Sequence, residues 1–109
     1  MYRSTPKQVM RARLCNLEGS IVTQSGKDAI VENHIGDLYS APELQADGQK
    51  NVGPCADAWS IGVILYEMTT GERPFESKDK AGKERASFAN PYFKTESGES
   101  CKDLIDKLL

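Results

Sequence analysis

Residues 57–75 hold the densest apolar run in the chain, and Trp59, Ile61, Val63, Ile64, Leu65, Tyr66 and Met68 leave no polar stripe at a helical period. A helix over residues 57–70 with that pattern is expected to be central and covered on nearly all sides. Periodicity alone does not separate it from a buried strand through residues 61–66. Gly62 is poor in a strand interior, and Asp57 as N-cap with Gly71 beyond Thr70 supplies helix boundaries, so helix is the reading. A second helical pattern closes the sequence, where Cys101, Leu104, Ile105, Leu108 and Leu109 share one face behind a near capping box, Ser100-x-x-Asp103.

The remaining stretches are more polar. Residues 1–8 read as loop around Pro6, and Val9-Met10-Arg11-Ala12-Arg13-Leu14-Cys15 alternates as a short strand would. Residues 20–35 are expected to be an exposed loop, with a turn at Ser25-Gly26 and a single short apolar patch, Ala29-Ile30-Val31. Asp47-Gly48 and Gly53-Pro54 make residues 44–55 a surface connection. Residues 76–89 are charge-rich and read as a solvated face, whereas Tyr92-Phe93 is expected to pack under the body. Residues 97–100 read as polar loop, and Trp59 as a core anchor.

Composition narrows the function classes. The chain has 109 residues, 39% of them hydrophobic and 28% charged, which suits one globular domain. Its net charge of −2, with both signs interspersed, offers no basic footprint for nucleic acid or anionic lipid. Cys15, Cys55 and Cys101 are odd in number and far apart, against both a disulfide framework and a zinc site, and fit a reduced, cytoplasmic setting. There is no apolar leader, and residues 61–66 are too short to span a bilayer, so no membrane association is expected. His34, the only histidine, receives no chemistry.

Three ordered motifs then carry a resemblance. Ala41-Pro42-Glu43, followed by Asp57-x-Trp59-Ser60-x-Gly62, followed by Gly71-Glu72-Arg73-Pro74-Phe75, resembles the C-terminal lobe of a eukaryotic Ser/Thr protein kinase, and residues 101–109 are similar to a later helix of that lobe. The fold class implied is mainly α: a partial kinase-like helical lobe with a buried central helix and little or no β structure. Residues 1–35 would be a degenerate region resembling the catalytic loop and activation segment. Residues 36–109 would be the lobe-like region, incomplete at both ends.

The family's catalytic loop, His-Arg-Asp-x-x-x-x-Asn, finds a frame in Met1-Tyr2-Arg3-Ser4-Thr5-Pro6-Lys7-Gln8 with its chemical residues changed. Arg3 stands in place of the carboxylate that accepts the substrate proton, and Gln8 in place of the magnesium-holding asparagine. Leu14-Cys15-Asn16-Leu17-Glu18-Gly19 resembles Leu-Cys-Asp-Phe-Gly, placing the neutral Asn16 where a carboxylate binds magnesium. The separation of Gln8 from Asn16 is shorter than usual, so a hairpin is trimmed here, and an N-terminal segment unrelated to kinases is the other reading.

In the same comparison residues 20–35 become an activation segment with Thr23 and Ser25 as conceivable phosphorylation sites, although an exposed loop explains them as well. Gly36-Asp37-Leu38-Tyr39-Ser40-Ala41-Pro42-Glu43 resembles the peptide-docking loop, shortened and without its threonine. Tyr39 is expected to lay its ring against the lobe. Glu43 lacks the family's arginine partner within the sequence and is expected to be exposed or satisfied differently. Asp57 in the family reaches the catalytic loop; N-capping is the simpler role. The resemblance also implies an outward helix over residues 79–88.

Phosphoryl transfer depends on positioned metal, cationic contacts to phosphate and an oriented nucleophile, and the sequence carries no Gly-x-Gly-x-x-Gly. The expected function is therefore a pseudokinase-like domain that is catalytically inactive and acts through protein partners, with no cofactor and no small-molecule substrate of its own. The alternative is part of an active Ser/Thr kinase, in which case ATP and magnesium belong to the larger protein. A small helical interaction domain with accidental similarity is the third reading.

Overall fold

The computed structural model describes residues 11–25, 27–32, 37–45 and 48–109. Its elements run β1 (Ala29–Val31), α1 (Pro42–Gln45), β2 (Lys50–Val52), α2 (Cys55–Thr70) and α3 (Glu96–Leu108), with 3₁₀ turns at Leu17–Gly19 and Pro91–Lys94. The fold is mainly helical, and the β structure among the described residues is one short antiparallel pair.

The apolar run does form the principal helix, α2. Its start differs from expectation: Pro54, already helical at φ −58°, leads into Cys55, and Asp57 lies exposed in the first turn instead of capping it. A fixed proline φ pre-sets that entry, and the Asp57 charge complements the helix dipole there. The other end is as expected, with Gly71 at φ 76° donating its N–H to the Glu67 carbonyl at 2.8 Å.

Burial of α2 is one-sided, which corrects the expectation of cover all round. Ala56, Trp59, Gly62, Val63 and Tyr66 are buried, whereas Ile61, Ile64 and Met68 are 52%, 45% and 68% exposed. Two clusters form on the covered side. Trp59 and Val63 pack with Ala41, Val52, Ala56, Phe75 and Ala81, and the Trp59 and Phe75 rings stack at 5.6 Å. Tyr66 packs with Phe93 and Ile105, flanked by Phe88 and Cys101.

The second helix begins earlier than its capping box. Thr95 Oγ1 accepts the Gly98 N–H at 3.0 Å, so residues 97–100, expected as loop, form the opening turn of α3. Asn90 Oδ1 accepts the Tyr92 N–H at 2.9 Å and fixes the 3₁₀ turn on which that end of α3 rests. Phe93 is buried while Tyr92 is 37% exposed, so the aromatic pair divides between core and surface. Where α2 meets α3, a Cβ on Gly62 would fall 2.9 Å from Leu108 Cβ and from Leu109 Cδ2; glycine is what lets the helices approach.

Three further expectations change. Residues 44–55 are more than a surface connection, because β2 pairs with β1 in the register Ala29↔Val52, Ile30↔Asn51, Val31↔Lys50, burying Val52 and Lys50. Lys50 Nζ donates to the Leu44 carbonyl at the end of α1. Residues 79–83 form turns and 85–88 continue irregularly, with no helix. Gly82, at φ 79°, breaks the run, and a Cβ there would lie 2.6 Å from Pro42 Cγ. Residues 11–15 are exposed and irregular, with no partner strand among the described residues, and the rest of that expected strand lies outside them.

Tyr66 makes alkaline pH a test of this packing. Its hydroxyl donates to the Ser87 carbonyl at 2.5 Å, and burial first, then the nearby Glu72 charge, raises its pKa above the ordinary value. The unfolded phenol therefore ionises first. Its contribution is complete below about pH 10 and is lost as pH rises through the folded value. Denaturant midpoints should fall above pH 10 in the native chain and fall less in Tyr66→Phe.

Candidate functional site

The docking-like loop is organised by one carboxylate. Asp37 Oδ1 accepts the Tyr39 N–H at 2.8 Å, the Ser40 N–H at 2.9 Å and the Ser40 hydroxyl at 3.0 Å, an arrangement that closes the chain into a tight turn. This turn delivers Ala41 into the core at 1% exposure and starts α1 with Pro42.

Tyr39 joins the turn to α2 from two directions. Its hydroxyl donates to Glu67 Oε2 at 2.6 Å, and its carbonyl accepts the Ser60 hydroxyl at 2.9 Å. Arg73 Cζ sits 5.9 Å from the ring centre, a cation–π placement. The Tyr39 pKa is raised, chiefly by its hydrogen bond to Glu67. The expected ring packing is thus present. Ser60 and Arg73 stand in the spaced motifs, but the sequence ties neither of them, nor Glu67, to Tyr39, because nothing local marks a contact across such separations. Glu43 is exposed, one of its two expected outcomes.

Of the other singled-out residues, Ala41 and Trp59 meet in one cluster, with Pro42 half-buried beside them, and Gly62 lies on the same helix where α3 crosses it. Trp59 Nε1 is buried with no hydrogen-bond partner among the described residues. Asp57 is exposed on the opposite side of α2. Asn16 is also exposed; it holds φ 57° and precedes the 3₁₀ turn at Leu17–Gly19 without a side-chain capping bond. Thr23 and Ser25 are exposed. Arg3, Gln8, His34 and Gly36 lie outside the described residues. No helix among the described residues is long and apolar enough to cross a membrane.

An Ala-Pro motif with its alanine buried at the start of α1, a tryptophan and glycine on a principal helix, and a tyrosine tied back to that helix form one constellation. Residues 7–109 match the family model for the protein kinase domain. The chain belongs to the protein kinase domain family. Within that family it is 47% identical over 64 residues to Tribbles of Drosophila melanogaster, covering 58% of this chain and 13% of that protein. It is 33% identical over 91 residues to Tribbles homolog 3 of Bos taurus, covering 80% of this chain and 26% of that protein. Serine/threonine-protein kinase MRCK beta of Homo sapiens is 41% identical over 80 residues, covering 65% of this chain and 5% of that protein. The chain therefore spans about a quarter or less of these relatives. No solved structure matches it.

Proposed function

We propose that this kinase-family chain works as a pseudokinase-like protein-binding domain and does not bind nucleotide productively. The observation that carries the reading is Asn16. A carboxylate at that motif position binds the magnesium that bridges the nucleotide phosphates, whereas an uncharged amide has little hold on a hard dication. Asn16 is exposed on an irregular stretch, residues 11–16, and no cluster of carboxylates, histidines or cysteines able to hold a metal lies among the described residues. Arg3 and Gln8, in the catalytic-loop frame, extend the same argument from sequence. The donor set does not fit a magnesium–nucleotide site, so no phosphoryl-transfer step is assigned to this chain. Residues 1–35 are read as the degenerate region and residues 36–109 as the lobe that meets protein partners.

Titration of the chain with a fluorescent ATP analogue, with and without magnesium, tests this. No saturable binding is expected in either condition. Magnesium-dependent saturation would overturn the proposal.

The 41% identity to a protein named as a serine/threonine kinase favours a second reading, part of an active kinase. The coding sequence upstream decides it. An in-frame lysine strand and a His-Arg-Asp loop would support that reading, and their absence would end it.

A further inference from the structure

Residues 85–89 contain no helix or strand, and burial alternates along them. Ala86 and Phe88 are half-buried, whereas Arg85, Ser87 and Ala89 are exposed. A period of two is that of extended backbone, so Arg85 and Ser87 share the outward side. The inward side is anchored. Ala86 packs against both apolar clusters, and the Phe88 ring centre lies 6.1 Å from that of Tyr66 and 5.0 Å from that of Phe93. The Ser87 carbonyl accepts the Tyr66 hydroxyl, which holds the backbone in place and leaves the serine side chain outside. Ser87 Oγ accepts the Ala89 N–H at 3.4 Å, a weak contact, and its own proton has no acceptor among the described residues. Cations flank this hydroxyl. Arg85 precedes it by two residues and Lys83 by four, both exposed, and Lys102 Nζ of α3 lies 5.5 Å from the centre of the adjoining Phe88 ring.

We propose that Ser87 is a phosphorylation site for an arginine-directed Ser/Thr kinase, and that the phosphate formed there is held by Arg85 and Lys102. A kinase selects its acceptor in part by charge pattern, and a cation row leading to an exposed hydroxyl is such a pattern. A serine within a helix would first have to unwind; Ser87 already stands on extended backbone. In the transfer, Ser87 Oγ attacks the γ-phosphorus of ATP bound to that kinase. The bond from this phosphorus to the ADP oxygen breaks, and the hydroxyl proton passes to the kinase's carboxylate base. The product is close to a dianion at neutral pH and has three strong acceptor oxygens. Arg85 meets it from the same side of the segment and Lys102 from α3, so the phosphate ties residues 85–89 to that helix. Glu84, exposed between the two upstream cations, and Asp106, which lines one cavity together with Arg85, are the opposing charges. This chain is the substrate in the reaction, so the inference stands apart from whether it binds nucleotide itself.

The 109-residue chain is incubated with ATP, magnesium and the recombinant catalytic domain of an arginine-directed kinase, with a basic control peptide phosphorylated in parallel. Peptide mass spectrometry is expected to place the phosphate on Ser87. Ser87→Ala, which keeps the carbonyl that Tyr66 uses, should lose nearly all of the label. Arg85→Ala should lower kcat/KM for the chain as substrate about tenfold or more. The phosphorylated chain should melt about 2 °C or more above the unmodified one, and Lys102→Gln should remove much of that gain. Phosphate absent from Ser87 while the control peptide is modified overturns the site, as does label that survives Ser87→Ala. An unchanged kcat/KM in Arg85→Ala overturns the class of kinase. A phosphorylated chain that melts no higher than the unmodified one overturns the hold of Arg85 and Lys102 on the phosphate.

Discussion

Gly98→Ala is expected to destabilise this protein by about 2 kcal/mol or more. The new methyl carbon would lie 1.8 Å from the Tyr92 carbonyl oxygen and 2.9 Å from Phe93 Cα. Both are backbone atoms of the 3₁₀ turn under α3, so no side chain can swing aside, and relief requires lifting the end of the helix. That movement would stretch the Thr95 cap and withdraw Phe93 and Ile105, which are 3% and 0% exposed, from Tyr66. Alanine's better helix propensity returns about 1 kcal/mol. Overpacking against backbone costs about 3 kcal/mol or more. The net loss is large against the 5–15 kcal/mol that holds a typical domain, roughly. Gly19→Ala is the control, because nothing lies within 4 Å of its Cβ position. Its unfolding free energy, from denaturant melts, should stay within about 0.5 kcal/mol of the native chain's. Equal midpoints for the two variants would show that the approach at Gly98 is not tight.

Trp59→Ala should cost about 3–5 kcal/mol, since it removes the side chain that stacks on Phe75 and joins Ala41, Val52 and Val63 in one cluster. Trp59→Phe separates packing from hydrogen bonding. The indole N–H is buried without a partner among the described residues, so phenylalanine sacrifices no bond there and sheds an unsatisfied donor. Phenylalanine should therefore recover most of the loss, leaving a cost below about 2 kcal/mol for the smaller ring. Urea melts of the three proteins check this, and a phenylalanine variant as unstable as the alanine variant would mean that the N–H is bonded in solution.

The legible parts of this molecule were those written in neighbouring residues. The length and apolarity of residues 57–70 and the glycine at 71 specify α2 and its end, and the three spaced motifs specify the family. Which side of α2 is covered could not be read, because a helix apolar all round carries no preferred face. The start of α3 was misread because Thr95 and Ser100 both offer capping chemistry. The choice falls to Thr95 through Gly98 resting on the Tyr92 carbonyl, a contact no local pattern encodes. The β1–β2 pair joins two short, separated segments, and neither has enough alternation to announce a strand. At the candidate site, Tyr39 was found from its motif, while Glu67 reads as one more polar residue on a helix until the fold brings the two together.

Leu109 and Ala86 each touch both apolar clusters, the one around Trp59 and the one around Tyr66. These shared residues couple the clusters, so disorder in either is felt by the other, and the two should lose structure in a single cooperative transition. Fluorescence of Trp59 and the aromatic dichroism of Tyr66 would then report the same melting temperature, although they sit in different pockets of the protein.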